Sequence, residues 1–336
     1  MRRHSLFLAQ GYKARNLLDI GGCFNYLCGV VMKINTVICG KAEDVLKTLP
    51  NNSIDCCITS PPYWALRDYG VEGQLGLEPT FQEYITKLCD IFDEVNRVLK
   101  KEGTCWVNIG DTYSGMKVGN TENIKNPNVE TNSFIKPKQD IQDKCLCQIP
   151  SRFAIEMTNR GWILRNEIIW HKPNCMPSSA KDRFTVDFEK IFFFTKSKKY
   201  WFETQYEKYV ENSDMQYRKT LRCGRKYGVK RPYKDNQPLS YNNKPINKEG
   251  RNKRTVWKIP TKPYKEAHFA TYPPALIETP IKAGCPERGI VLDPFFGSGT
   301  SGLVAKNLNR NYIGIELNKE YILIAERRLA QGVLNI

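Results

Sequence analysis

The feature that most constrains this chain is the stretch of residues 290–317, IVLDPFFGSGTSGLVAKNLNRNYIGIEL. Ile290, Val291 and Leu292 form a short apolar run of the kind a buried parallel strand shows. The run stops at Asp293-Pro294, because proline lacks the amide that a central ladder needs. Gly297, Ser298 and Gly299 then allow a tight turn whose backbone can approach a ligand closely. A helix is expected from Thr300, with Leu303, Val304 and Leu308 on its buried side. A second apolar strand, residues 312–315, ends on Glu316. Strand, glycine turn, helix, strand and terminal acid together are the layout of a site for a nucleoside-bearing ligand. In such a site the turn and helix N-terminus hold a carboxylate or phosphate. The spacing is neither G-x-G-x-x-G nor a P-loop, so a reading in which Asp293 and Glu316 only cap loops stays open.

A second stretch narrows the choice. An apolar strand at residues 54–58 leads into Thr59-Ser60-Pro61-Pro62-Tyr63-Trp64. Two prolines fix the backbone and remove two amide donors. Their carbonyls remain as acceptors beside a serine hydroxyl and two aromatic faces, a group able to grip an exocyclic amine and stack on a flat base. The alternative is an ordinary turn plugged by aromatics.

Together, TSPPYW and DPFFGSGT closely resemble the motifs of the DNA amino-methyltransferases, which use S-adenosylmethionine. The order, catalytic motif before cofactor motif, resembles the circularly permuted beta class. The resemblance runs from about Met32 to Leu329. It implies an α/β fold: a Rossmann-like, seven-stranded, circularly permuted sheet with an inserted basic target-recognition region. It implies Ser60, Pro61, Pro62 and Tyr63 as catalytic residues, with Tyr63 and Trp64 against the target base. By the same resemblance Thr59, Asp293, Phe295, Gly297, Ser298, Gly299, Thr300 and Glu316 belong to the cofactor site. Asp44, after a first strand at residues 36–39, is the expected acid near adenine; a helix-start acid is its other reading. Ala267-His268-Phe269-Ala270-Thr271-Tyr272-Pro273 resembles the family's H-x-A-x-(Y/F)-P segment, which makes His268 a further cofactor residue.

Bulk properties agree with a polyanionic partner. The 336 residues carry a formal charge of +16, which favours double-stranded DNA as partner. Residues 196–258 hold 18 Lys/Arg against 6 Asp/Glu, with Tyr200, Tyr206, Tyr209, Tyr217, Tyr227, Tyr233 and Tyr241 among them. Basic side chains answer phosphates, and aromatic or amide groups read bases. A charge run is otherwise a solvated face; here it sits where the permuted family carries target recognition. No apolar run reaches membrane-spanning length. Twelve cysteines without a C-x-x-C spacing suit reduced thiols in a cytoplasmic protein. Cys145, Cys147 and His171 lack a completing pair, so no metal is expected, and a lone His171 beside a proline reads as structural.

The expected organisation is a poorly ordered N-terminal extension, 1–31; a catalytic half, 32–195; the target-recognition region, 196–258; and a cofactor half, 259–336. Within the catalytic half, Thr80 and Glu83 form a capping box opening a helix with Phe81, Tyr84, Ile85, Leu88, Phe92, Val95 and Leu99 on its buried side. Gly103 is expected to end it, before a strand at 104–109. Residues 112–147 read as a long functional loop. Helix 151–160 and strands 163–170 and 190–195 complete a count of seven strands.

The expected activity is methyl transfer from S-adenosylmethionine to the exocyclic amine of a flipped base. In the family, serine before Pro-Pro is commoner in cytosine-N4 enzymes, so cytosine is preferred and adenine N6 is the alternative. RNA or protein amide methylation and an inactive DNA-binding relative are more remote readings. No Pro-Cys dipeptide exists to support methylation of a ring carbon. A monomer or homodimer, serving beside a cognate restriction endonuclease, completes the expectation.

Overall fold

The computed structural model describes residues 24–27, 30–66, 70–115, 141–208, 249–261 and 272–331. A hairpin of β1 (Phe24–Leu27) and β2 (Val30–Lys33) comes first and runs across the boundary expected at residue 32. Then follow β3 (Thr36–Cys39), α1 (Ala42–Thr48), β4 (Ile54–Thr59), α2 (Phe81–Val98), β5 (Leu99–Ile109), α3 (Ile149–Asn159), β6 (Ile163–His171) and β7 (Phe188–Thr195). A short pair, β8 (Tyr206–Glu207) and β9 (Arg251–Asn252), precedes β10 (Val256–Lys258). The C-terminal part contributes α4 (Pro274–Gly284), β11 (Ile290–Asp293), α5 (Thr300–Asn307), β12 (Asn311–Glu316) and α6 (Lys319–Ala330).

The main sheet has the order β10-β6-β7-β5-β4-β11-β12-β3. All neighbours are parallel except β7, which runs antiparallel to both β5 and β6. The seven expected strands are present, and β10 is an eighth that adds to the β6 edge. Its sequence, Val-Trp-Lys, lies inside the basic stretch. The Trp257 ring faces the core, where its Nε1 donates to the Arg254 carbonyl at 2.7 Å. β4 and β11 are central and buried on both faces, and therefore read as largely apolar runs, broken in β4 only by Asp55, which pairs with Lys100.

Helices cover both faces. On one, α1, α2 and α3 bury Leu46, Phe81, Tyr84, Leu88, Phe92 and Phe153. On the other, α4, α5 and α6 bury Leu276, Ile281, Val304, Ala305 and Ala325 against Cys56, Trp106 and Phe193. Thr80 caps α2 as expected, its side chain accepting from the Glu83 amide at 3.1 Å. The helix stops earlier than its pattern suggests, however. Leu99 is already extended (φ −64°, ψ 137°) and opens β5, so Gly103 lies within a strand. A Cβ at Gly103 would stand 3.0 Å from Leu99 Cδ2 and from the Lys100 carbonyl. The β4–β5 register slips at the same place, so the glycine permits a bulge rather than a helix end.

Because β4, β11, β12 and β3 are parallel, the chain leaves all four at one edge of the sheet. That edge is where open α/β sheets bind ligands. Most of the basic stretch (209–248), much of the long loop (116–140), residues 1–23 and the segment carrying His268 (262–271) lie outside the described residues. Among those described, no helix is long and apolar enough to cross a membrane, and no cluster of His, Cys, Asp and Glu could hold a metal.

Candidate active site

The turn after β11 is built around Asp293, which is 1% exposed. Its carboxylate accepts from Thr59 Oγ1 and Ser301 Oγ at 2.6 Å each, from the Phe295 amide at 3.0 Å and from the Tyr272 hydroxyl at 3.2 Å. Burial pushes this carboxyl above the usual aspartate range, and the four donors oppose that rise. Asp293 and Thr59 do not line the cavity. They lock the end of β4 to the end of β11 from below.

Above them Gly297 (φ 51°) and Gly299 (φ 80°) adopt left-handed backbone that disfavours a side chain. Their surroundings differ. A Cβ at Gly299 would stand 2.9 Å from Ala325 Cβ, so that glycine lets α6 approach. A Cβ at Gly297 would meet nothing within 4 Å, since it faces open space. The Gly297 amide donates to Glu316 Oε2 at 2.7 Å, and the Asn318 amide to Oε1 at 2.8 Å. Burial holds Glu316 above the ordinary glutamate range, with those amides opposing it. Both phenylalanines touch the cavity, Phe295 half-buried and Phe296 almost fully buried. Phe296 is the anchor, stacked on Tyr312 and seated over Gly314, where a Cβ would come within 2.3 Å of the ring.

The Ser60–Tyr63 loop forms the facing wall. Tyr84 donates to the Pro62 carbonyl at 2.8 Å, so one of the two proline carbonyls is used by the fold. The Pro61 carbonyl accepts no hydrogen bond among the described residues, and it lines the cavity with Ser60. The Tyr63 ring lies against Gly110, where a Cβ would be 2.5 Å from Cε2. Its hydroxyl donates to Glu189 Oε2 at 2.7 Å, and Asn108 Nδ2 donates to the same oxygen at 3.1 Å. Lys172 binds Glu189 Oε1 and stands 4.4 Å from the centre of the Trp170 ring. Burial and the neighbouring Glu189 charge raise the Tyr63 phenol well above its usual value, so it stays neutral.

Both walls enclose one cavity of about 1110 Å³. Of the residues expected from the sequence, Ser60, Pro61, Pro62, Tyr63, Phe295, Gly297, Ser298, Thr300 and Glu316 line it. Trp64 does not. It is 1% exposed, packs edge-on against Phe81 and donates to the Glu78 carbonyl at 3.0 Å. The positive φ of Ala65 (51°) accompanies this turn of the chain back into the core. Trp64 is therefore a structural residue, not a base-stacking one. Asp44 is exposed on α1 and does not line the cavity; Glu43 does. His268 lies outside the described residues. His171 contacts Asp187 at 3.4 Å and also lies off the cavity. Asn108, Trp170, Lys172 and Glu189 also line the cavity and belong to no motif, although Lys172 opens a loop, 171–183, that the sequence places where it could face DNA. Their one signal was position: each sits within a few residues of a strand's end.

A doubly covered, mostly parallel sheet with a glycine turn and a proline-fixed loop opening on one cavity is the layout of an α/β enzyme with its ligand site at the strand ends. Comparison with known proteins names the family. Residues 54–327 match the N6/N4 DNA methylase family. Type II methyltransferase M.XycI of Xanthomonas campestris pv. cyanopsidis is 41% identical over 301 residues, 89% of each chain. Two solved structures share the fold. The PvuII DNA methyltransferase (cytosine-N4-specific) gives a TM-score of 0.58 at 19% identity, covering 89% of this chain and 88% of its own. TTHA0409, a putative DNA modification methylase of Thermus thermophilus solved with S-adenosyl-L-methionine, gives 0.53 at 21%, covering 89% and 95%. The chain belongs to the N6/N4 DNA methylase family and is a DNA methyltransferase.

Proposed function

We propose that this enzyme transfers a methyl group from S-adenosylmethionine to the N4 amine of a cytosine turned out of double-stranded DNA. The observation that carries the reading is that Ser60 and the Pro61 carbonyl share one cavity with the Gly297 turn and Glu316. The cofactor fits the residues present. The space beside Gly297 admits a ligand against the backbone, and Glu316 offers a half-buried carboxylate suited to ribose hydroxyls. When bound, S-adenosylmethionine supplies an activated methyl group.

The chain's own work is orientation. An exocyclic amine donates its lone pair into the ring and is a poor nucleophile. Two acceptors, Ser60 Oγ and the Pro61 carbonyl, can take its two hydrogens, pyramidalise the nitrogen and so free the lone pair from conjugation with the ring. Tyr63, fixed through its hydroxyl, stacks on the base. Holding the reacting groups in line supplies much of the rate, and no covalent enzyme intermediate is required. Cytosine is preferred because an uncharged serine precedes Pro-Pro. The type II name of the 41% identical relative supports a modification role beside a cognate endonuclease.

The test is transfer of tritiated methyl from S-adenosylmethionine to plasmid DNA, with cofactor affinity measured in parallel by calorimetry. Ser60→Ala and Tyr63→Ala should each lower kcat/KM by about a hundredfold, leaving cofactor affinity within about threefold. Wild-type rates in either variant would remove the loop from the mechanism.

A further inference from the structure

We propose that Lys172 contacts the O2 oxygen of the flipped cytosine, and that this contact selects cytosine over adenine. The proposal rests on the cytosine reading above and deepens it. Adenine and cytosine present the same amine and the same adjacent ring nitrogen. They differ at the next position along that edge, where cytosine carries a carbonyl oxygen and adenine a C–H. Ser60 and Pro61 hold only the shared part. Selection therefore needs a donor further along the pocket wall.

Lys172 follows the end of β6 and lines the same cavity as Ser60. Its side chain is 19% exposed and that of Glu189 is 18% exposed. Glu189 already accepts three hydrogen bonds: Oε1 takes Lys172, while Oε2 takes the Tyr63 hydroxyl and Asn108 Nδ2. A carboxylate so occupied is a brace, and it would repel the O2 and N3 lone pairs of cytosine. The ammonium is different. Braced by Glu189 and by the Trp170 ring, it keeps further N–H donors on the cavity wall. Opposite a carbonyl it completes a charge-assisted hydrogen bond. Opposite the C–H of adenine the same donor is left desolvated and unpaired, and sites built around a polar contact discriminate strongly for that reason.

The experiment starts from the recognition site, mapped by sequencing methylated DNA. Duplexes carry cytosine, adenine or no base at the target position, each opposite an abasic site so that no base pair is broken on flipping; the unstacking difference that remains is common to wild type and variants. Affinities are measured by fluorescence anisotropy with S-adenosylhomocysteine present. Wild type should bind the cytosine duplex at least about tenfold tighter than the adenine duplex. Lys172→Met should bring that ratio below about threefold by weakening the cytosine complex alone. Lys172→Arg should retain part of the preference, and Glu189→Gln should retain most of it. Because Lys172→Met removes the counter-charge of Glu189, the double variant with Glu189→Gln is measured beside it and should also lose the ratio. A ratio unchanged in both, or cytosine and adenine complexes weakened in parallel, overturns the proposal. N6-methyladenine as the wild-type product overturns the cytosine reading and this proposal together; N4-methylcytosine with an unchanged ratio overturns this proposal alone.

Discussion

The two walls of the cavity are built differently. The wall proposed for the cofactor comes from one short stretch, residues 294–300, beside Glu316. It is made by a turn whose Gly297 amide bonds the half-buried Glu316 carboxylate, and it rests on the buried Asp293 beneath it. The target wall is assembled from the ends of β4, β5, β6 and β7. There Tyr63, Asn108, Lys172 and Glu189, up to 126 residues apart, meet through their side chains. One wall is set by local backbone geometry, the other by the sheet order. The cofactor wall should therefore fail through stability and the target wall through turnover.

The largest expected effect probes the join between them. Asp293→Ala leaves the Thr59, Ser301 and Tyr272 hydroxyls and the Phe295 amide without their acceptor, deep in the core. Urea unfolding should show a loss of about 3 kcal/mol or more. A loss below about 1 kcal/mol would mean that the carboxylate is no brace.

Gly110→Ala sharpens the contrast from the other side. The new Cβ would require the Tyr63 ring to move, because it would lie 2.5 Å from Cε2. We expect kcat to fall by roughly tenfold or more, with cofactor affinity unchanged. Equal losses in both would show that the two walls are one mechanical unit.

Glu316 gives a pH signature. Burial raises its folded value above that of the unfolded chain. The protonated form is thus favoured by folding, and this contribution to stability is fully present below the ordinary glutamate value and lost as pH rises through the raised one. Ribose hydroxyls need the ionised acid. Cofactor binding should therefore release protons, and affinity should weaken severalfold as pH falls through the raised value. Glu316→Gln should weaken binding at neutral pH and flatten the profile. A wild-type profile as flat as the variant's would remove the carboxylate from the cofactor site.

The smallest effect belongs to Trp64. Trp64→Phe removes one buried hydrogen bond, to the Glu78 carbonyl. It should cost about 1 kcal/mol of stability and leave base binding within about twofold. A large loss of base affinity with intact stability would return Trp64 to the target wall.

The same contrast explains what was legible in the sequence. Apolar runs and glycines marked β11, the turn and β12, because those features are local and periodic. The Ser60–Tyr63 loop was legible too, since two prolines leave the backbone little freedom. Trp64 was misplaced because adjacency to Tyr63 says nothing about the turn at Ala65 that sends the indole inward. Near α1 the helix phase decides: Glu43 lines the cavity, while Asp44, one residue on, stays in solvent. Asn108, Lys172 and Glu189 carried no motif. Their meeting depends on β7 inserting antiparallel between β5 and β6, which brings Glu189 beside Asn108 and Lys172. β10 escaped notice because three residues in a basic stretch show no period.

The most direct test of the central claim is mass spectrometry of nucleosides from DNA incubated with the enzyme and S-adenosylmethionine. The account predicts N4-methylcytosine, formed about a hundredfold more slowly when Ser60→Ala is used. N6-methyladenine in its place, or no methylated nucleoside on DNA of varied sequence, would contradict it.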